Sequence, residues 1–282
     1  MKFADLHLHT CFSDSTYTPL ELILGVAKAG LSTIAVVDHD TTEGIAQTIE
    51  IARSKGIEVL PGVELSAEHE GVEIHVLGYL IDYESKVLQE KLDYLKQNRI
   101  ERIFKIVDKL KEVGVPLDPE SVFDIAKQGT VGRLHIARAM VKEGLVSSTS
   151  EAFRKYIGDK CPAYVCGFKF TPIEAIKLIK DSKGIPVLAH PYTLHKDELI
   201  TEFAEKGLMG LEAYYPEHSQ SMVNFYLNLA KKFNLLVTGG SDCHGNAKSG
   251  IKIGSIKIPY ELVEKLKEAK SLMTNDKAQN QK

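Results

Sequence analysis

The feature that most limits what this chain can fold into is a series of short apolar runs that lack polar alternation. Thr33–Val37 is β-branched and unbroken, which suits a strand covered on both faces. Lys2–His9, Ile57–Leu60, Val72–Gly78, Pro186–Ala189, Gly210–Ala213 and Leu235–Thr238 read as further strands. Helices are signalled between them. Thr18-Pro19-Leu20-Glu21 and Thr171-Pro172-Ile173-Glu174 each supply a capping threonine, a proline in the first helical position and a glutamate that completes a capping box. A further helix is expected from about Glu43 to Lys55. Strands that alternate with helices predict an α/β fold, a parallel sheet or barrel.

The pattern changes between residues 83 and 168. Leu88, Leu92, Leu95, Arg99, Arg102, Ile103, Ile106, Val107 and Leu110 follow helical spacing, and the stretch up to Tyr164 holds no clear strand run. It reads as a mostly helical insertion into a body formed by residues 1–82 and 169–270, with 271–282 a polar, frayed tail. Without the insertion about 196 residues remain, which suits seven βα units of about 30 residues each.

Composition excludes several classes. At 44% hydrophobic and 26% charged residues the chain is an ordinary globular protein. The balance of 35 Lys+Arg against 38 Asp+Glu gives −3, which does not favour holding nucleic acid by bulk charge but leaves a local basic pocket open. Apolar runs stay short of the ~20 residues of a membrane span. The opening MKFADLHLHT carries an aspartate and two histidines where a secretion signal would be apolar. Four cysteines without a CxxC pair suit a reducing compartment, so a cytoplasmic location is expected.

The chemistry lies in the histidines. His7 and His9 sit two apart on one strand and leave the same face. Asp14 follows; His39 comes directly after Ile34–Val37, between Asp38 and Asp40. Glu64 follows Ile57–Leu60 through Pro61-Gly62, and His75 lies in the next strand. His190 ends Val187–Ala189, while Asp242 and His244 follow Val237–Gly240. Five of these groups fall at or just past the carboxyl end of a strand, the edge where α/β active sites assemble. A single strand-end histidine is more often structural, and His69, His195 and His218 are left in that class. The joint placement of the others would leave several buried polar groups uncompensated without a metal. Mixed imidazole and carboxylate donors suit Zn, Mn or Fe, and the absence of paired cysteines argues against a closed structural zinc site.

His-Leu-His-Thr, Asp14, Asp38-His39-Asp40, Pro61-Gly62-Val63-Glu64, His75, Ala189-His190-Pro191 and Gly240-Ser241-Asp242-Cys243-His244-Gly245 together resemble the PHP (polymerase and histidinol phosphatase) family of metal-dependent phosphoesterases. Gly132-Arg133-Leu134-His135-Ile136-Ala137-Arg138 and Ala163-Tyr164-Val165 resemble the bacterial subfamily that acts on nucleoside 3′,5′-bisphosphates and short RNA 5′ ends. The resemblance implies a distorted seven-stranded β/α barrel with two or three divalent ions, Mn first among Mn, Zn, Fe and Mg. It places one ion on His7, His9, Glu64 and Asp242, a second on Glu64, His75 and His190, and a third on Asp14, His39 and His244. Glu64, His190 and His244 are the residues assigned to catalysis by a metal-activated hydroxide. The departure is Cys243, where an aromatic residue is often found. Asp5, Asp38 and Asp40 are read as outer acceptors for histidine N–H groups.

The insertion is expected to choose the substrate, a small phosphorylated nucleotide or a short RNA. Arg99 and Arg102 share a helix face, and Arg133 with His135 lies in another segment, where arginine forks suit a phosphate that is not cleaved. For Arg99 and Arg102 a solvated face paired with glutamates such as Glu101 and Glu112 is nearly as good a reading. Neither a membrane nor an obligate protein partner is expected. Serine chemistry at Ser241 is disfavoured. The competing functions are a histidinol-phosphate phosphatase, an amidohydrolase and a non-catalytic PHP module, the last of which would be missing ligands.

Overall fold

The computed structural model describes residues 2–279 other than Gln128, Phe168, Lys169 and Ser249, with side chains as far as Asn275. The chain opens with β1 (Phe3–Leu8), α1 (Pro19–Ala29), β2 (Thr33–Val36) and α2 (Gly44–Arg53), then β3 (Glu58–His69) and β4 (Val72–Tyr79). Four helices follow: α3 (Lys86–Glu112), α4 (Pro119–Ala126), α5 (Arg133–Lys142) and α6 (Thr149–Ala152), which runs into a π turn at Phe153–Ile157. The chain then returns through α7 (Pro172–Asp181), β5 (Ile185–Leu188), α8 (Leu199–Glu205), β6 (Gly210–Tyr214), α9 (Gln220–Lys232) and β7 (Leu236–Gly239). It ends with β8 (Ile258–Pro259) and α10 (Tyr260–Gln279). The expected boundary between insertion and body, residues 168 and 169, lies outside the described residues, as do residues 280–282. Up to Gln279 the stretch read as a polar tail continues α10.

Both capping boxes form. The Thr18 and Thr171 hydroxyls accept from the Glu21 and Glu174 amides at 3.3 and 3.2 Å, and each glutamate accepts in return from the threonine amide at 2.8 and 2.7 Å. These boxes start α1 and α7 at their prolines, so the strands before and after them are held at set distances along the chain.

The eight strands form one sheet in the order β7-β6-β5-β4-β3-β2-β1-β8. The seven expected strands are β1–β7; the eighth is two residues long and pairs antiparallel with β1. The sheet curls until its ends meet: Leu8 bridges Cys243 in parallel, and the Asp242 amide donates to the His7 carbonyl at 2.8 Å. The result is a nearly closed barrel.

One expectation fails. The sheet is mixed rather than parallel, because β4 runs antiparallel to both β3 and β5. Only Glu70 and Gly71 join β3 to β4, too few for a crossover. Both have positive φ, 48° and 82°, the requirement of the tight hairpin turn that matches strand twist. Strand β3 is also far longer than Ile57–Leu60, so Glu64 sits inside it. The signal was present: Val63, Leu65 and Ala67 alternate with Glu64, Ser66 and Glu68, a period of two.

Three apolar clusters hold the molecule. Ile34 and Val36 of β2 pack with Leu22, Ile23 and Val26 of α1 in the largest. Their neighbours Ala35 and Val37 join Leu60, Leu77, Tyr79 and Val187, together with Val263 and Leu266 of α10. Strand β2 is therefore buried on both faces, as its unbroken apolar run requires. The third cluster, around Ile103, Ile106, Leu110, Ile136 and Met140, is formed by α3–α6 with the π turn and the loops beside them.

Where β7 meets β1 there is room only for a hydrogen. A Cβ on Gly240 would fall against the His7 backbone nitrogen and Cβ. Gly240→Ala should destabilise the fold by about 1–3 kcal/mol. Urea unfolding measures this, and an unchanged midpoint would show that the seam opens freely.

Candidate metal centre

All strands except β4 and β8 run the same way, so their carboxyl ends share one rim. His7 and His9 leave β1 there, His39 follows β2, His190 follows β5, and Asp242 and His244 follow β7. Backbone bonds tie these segments to one another: Glu64 donates to the Asp38 carbonyl at 3.2 Å and Asp40 to the Glu64 carbonyl at 3.0 Å. Asp40, His190 and Asp242 hold positive φ, 49°, 25° and 52°. Such backbone is costly for these residue types and persists only where its surroundings impose it.

Glu64 is the hub, and it is fully buried. Its Oε2 lies 3.0 Å from His7 Nε2, 3.2 Å from His9 Nε2 and 3.4 Å from His39 Nδ1. Its Oε1 lies 2.9 Å from His75 Nδ1 and 3.1 Å from His190 Nε2. Asp242 Oδ1 is 3.2 Å from His9 Nε2 and 3.5 Å from His7 Nε2. Asp14 faces His244 Nε2 at 3.1 Å and His39 Nε2 at 3.8 Å. All nine residues nominated from the sequence converge on this rim.

Among the described residues, three overlapping groups offer donor atoms within 4.8 Å of one another: His7, His9, Glu64 and Asp242; His9, Asp14, His39 and His244; and His39, Glu64 and His75. The first is the set expected for one ion. The second adds His9 to an expected set. In the third, His39 stands where His190 was expected, although His190 Nε2 is only 3.2 Å from His75 Nδ1. The donors fit divalent cations chemically. Both ring nitrogens of His9 and the Nδ1 of His39 are buried without a hydrogen-bond partner, an arrangement that costs free energy unless a cation takes the lone pairs.

Charge within the cluster is strongly coupled. Burial works against charge on His75, but Glu64 and Glu73 outweigh it and raise its pKa to about 10. His9 is likewise raised, against burial, to about 9 by Asp242 and Glu64. Burial also opposes charge on Glu64, Asp14 and Asp242, yet the surrounding histidines, with Lys248 beside Asp242, hold all three well below the usual carboxylate range.

The outer contacts differ from expectation. Asp38 accepts from Thr10 and Ser13, Asp40 from Ser66 and Arg99, and Asp5 from the Ser241 and Gly254 amides and, at 3.4 Å, from the His7 backbone amide. These aspartates tie loops together; their hydrogen bonds do not reach imidazole rings. Acceptors for the imidazoles include Glu212 of β6, 2.8 Å from His7 Nδ1, and Glu73 of β4, 3.1 Å from His75 Nε2, while His244 Nδ1 faces the Asp242 carbonyl at 2.9 Å and His190 Nδ1 the Thr193 hydroxyl at 3.3 Å. Sequence reasoning passed over both glutamates, though a charged residue inside the apolar run Gly210–Ala213 was the available sign. It also missed Tyr215 and Lys248, which reach Asp242 Oδ2 at 2.7 and 2.5 Å.

The rim opens into a cavity of about 700 Å³ whose lining includes Glu64, His190 and His244 and, from α3, α5 and the π turn, Arg99, Arg133 and Arg154. Arg133 Nη1 donates to Asp159 at 2.8 Å, and its Nη2 lies 3.0 Å from Glu73. Arg99 is buried, donating to Asp40, Ser66 and the Val131 carbonyl at 2.6, 2.6 and 3.2 Å. Arg102, also buried, holds Glu73 at 2.7 Å and the Val165 carbonyl at 2.9 Å. Neither is on a solvated face. Arg102 and His135 lie outside the cavity lining. His135 accepts from the Gly132 amide at 3.1 Å, and burial lowers its pKa to about 4.

Known proteins resemble this one along most of its length. The PHP domain matches residues 5–121. A 5′-3′ exoribonuclease of Haemophilus influenzae is 33% identical over 251 residues, 86% of this chain and 90% of that protein. The chain belongs to the PHP family. A second PHP relative, a 3′,5′-nucleoside bisphosphate phosphatase of Chromobacterium violaceum, is 30% identical over 264 residues, 90% of this chain and 91% of that one. A solved structure from Bifidobacterium adolescentis, described as a metal-dependent phosphoesterase, superposes with a TM-score of 0.86 at 30% identity, covering 93% of this chain and 94% of the other. This PHP chain is a metal-dependent phosphoesterase, a hydrolase. Among the described residues no helix is long and apolar enough to cross a membrane.

Because His9 and His75 are raised to about 9 and 10, the ion-free protein carries protons on them at pH 7. Ions require neutral imidazole, so binding must release those protons. Adding Mn²⁺ to metal-depleted protein in weak buffer should acidify the solution, and elemental analysis should then find more than one ion per chain. Finding neither acidification nor bound metal would overturn the metal assignment.

Proposed function

We propose that this phosphoesterase acts on nucleotides, removing the 3′-phosphate of nucleoside 3′,5′-bisphosphates, with the 5′ ends of short RNA as a second substrate of the same cavity. The observation that carries this reading is the two-sided cavity: a floor of imidazole and carboxylate groups faces a wall from the insertion that presents Arg133 and Arg154. A substrate with two phosphates suits such a cavity, one phosphate on the floor and the other against arginine. The phosphatase and exoribonuclease names of the two relatives agree with it.

We assign two or three divalent ions, Mn²⁺ first among them, to His7, His9, Glu64 and Asp242, to Glu64, His75 and His190, and to Asp14, His39 and His244. When bound, such ions activate water and shield the phosphate charge. The chain's own residues set the geometry. Glu64 reaches two of the proposed sites through its two oxygens, so its charge matters to both. Lys248 and Tyr215 hold Asp242 in place, and Glu212 does the same for His7. Helices α3–α6 serve as the substrate cap. Arg133 is the phosphate contact: Glu73 fixes one edge of its guanidinium, and the half-exposed Asp159 is the partner that a phosphate replaces. Arg99 and Arg102 seat the cap on the barrel instead. A non-catalytic PHP module fits poorly with nine ligand residues all present.

Glu64→Gln keeps shape but removes the charge, and turnover should fall by orders of magnitude while the fold survives. Near-normal activity would refute the bridging role. Arg133→Ala should lower kcat/KM for a nucleoside 3′,5′-bisphosphate far more than for an aryl phosphate, which has no second phosphate to lose. A charge-assisted contact is worth roughly 1.5–3 kcal/mol, or about one to two factors of ten in kcat/KM. An equal fall for both substrates would reject Arg133 as the specificity contact.

A further inference from the structure

Glu73 stands between the rim and the cap and touches both. It lies on β4, two residues before His75, with its side chain 8% exposed. Its Oε1 is 3.1 Å from His75 Nε2. Its Oε2 is shared by Arg102 Nη2 of α3 at 2.7 Å and Arg133 Nη2 of α5 at 3.0 Å. The Tyr164 ring lies beside the same pair, with the two guanidinium carbons 5.7 and 5.3 Å from its centre.

We infer that Glu73 is a positioning residue that aims His75 at the metal centre and makes that aim depend on the seating of the cap. A carboxylate bonded to one imidazole nitrogen fixes the tautomer and the ring plane and makes the other nitrogen a better donor. With Nε2–H donating to Glu73, His75 Nδ1 faces Glu64 Oε1, 2.9 Å away, and His190 Nε2, 3.2 Å away, and it offers its lone pair there once ion binding has displaced its proton. Three donor atoms then converge on one point. Arg102 keeps Glu73 from swinging. It also compensates a carboxylate that would otherwise be buried with too little countercharge, a state the interior does not tolerate cheaply. The cap is thus wired to one ion position through Glu73. Seating α3 and α5 sharpens the His75 site, and binding an ion there in turn holds Glu73 in the place where it fixes Arg133.

This inference rests on the proposal that His75 ligates an ion, and the test separates the two. Mn²⁺ binding to metal-depleted protein is measured by equilibrium dialysis with elemental analysis for the wild type and for His75→Ala, Glu73→Ala, Glu73→Gln and Arg102→Ala. His75→Ala should lose one ion; retention of all ions would overturn the ligand assignment itself. Given that loss, Glu73→Ala should weaken the same ion roughly 10–100-fold and leave the others unchanged. Glu73→Gln, whose amide oxygen still accepts from Nε2–H, should recover most of it. Arg102→Ala should weaken the same ion less, and the double variant Glu73→Ala, Arg102→Ala should bind no more weakly than Glu73→Ala alone. Unchanged affinity in Glu73→Ala, or in Glu73→Leu should Glu73→Ala not fold, overturns the positioning role. Failure of Gln to rescue overturns the hydrogen-bond account. Additive losses in the double variant overturn the link to the cap.

Discussion

A carboxylate buried among five imidazoles is the constraint around which the site is arranged. Glu64 has both oxygens in contact with histidines that come from β1, β4 and the segments after β2 and β5. Removing that charge from water is expensive, and only opposite charge at close range offsets it. The barrel supplies the required geometry. Strand ends are the one place where side chains from distant parts of a chain meet without a helix between them, and the Leu8–Cys243 bridge closes the ring so that they face one centre. A flat sheet with the same residues would spread them along an edge.

The β3–β4 hairpin ties this plan to helices α3 and α5. An antiparallel strand carries its side chains to the rim from the opposite direction, and β4 delivers His75 and Glu73 on the same face, two residues apart. One reaches inward to Glu64 while the other reaches outward to Arg102 and Arg133. Helices α3–α6, which carry an apolar cluster of their own, supply the two arginines of that outer contact.

Charge in the site follows from these contacts rather than from exposure. Burial alone would strip protons from histidines and return them to carboxylates. The opposite occurs at His9 and His75 because each faces carboxylate oxygens at about hydrogen-bonding distance. At His135, with a backbone amide as its near partner and Arg138 and Arg99 adding to burial, the pKa falls to about 4. Buried histidines of one chain thus end in opposite states, and nearby acid alone does not decide which: His39 faces Glu64 and Asp14, yet burial together with His9 and His75 holds its pKa well below the usual imidazole value.

Much of this was legible in the primary structure. The unbroken run Thr33–Val37 marks a strand buried on both faces, the two Thr-Pro-x-Glu boxes start helices, and His7 with His9 on one strand face marks a polar site in a buried sheet. These are local properties: a period of two or 3.6, a cap and the residue types at strand ends are all set within a few residues of one another. Tertiary structure decided the rest. A charged side chain within a strand run shows only that it needs a partner, so the roles of Glu73 and Glu212 appear only when α3, α5 and β1 are brought against them. Likewise Arg99 and Arg102, three apart on one helical face, look available for a phosphate until folding buries them against Asp40 and Glu73. The direction of β4 turned on Glu70-Gly71, a less familiar pair for a turn that needs two residues with positive φ, and the choice was made by the pairing of eight residues on each side. Partners far apart in the chain carry no periodic signature, because what joins them is distance in space.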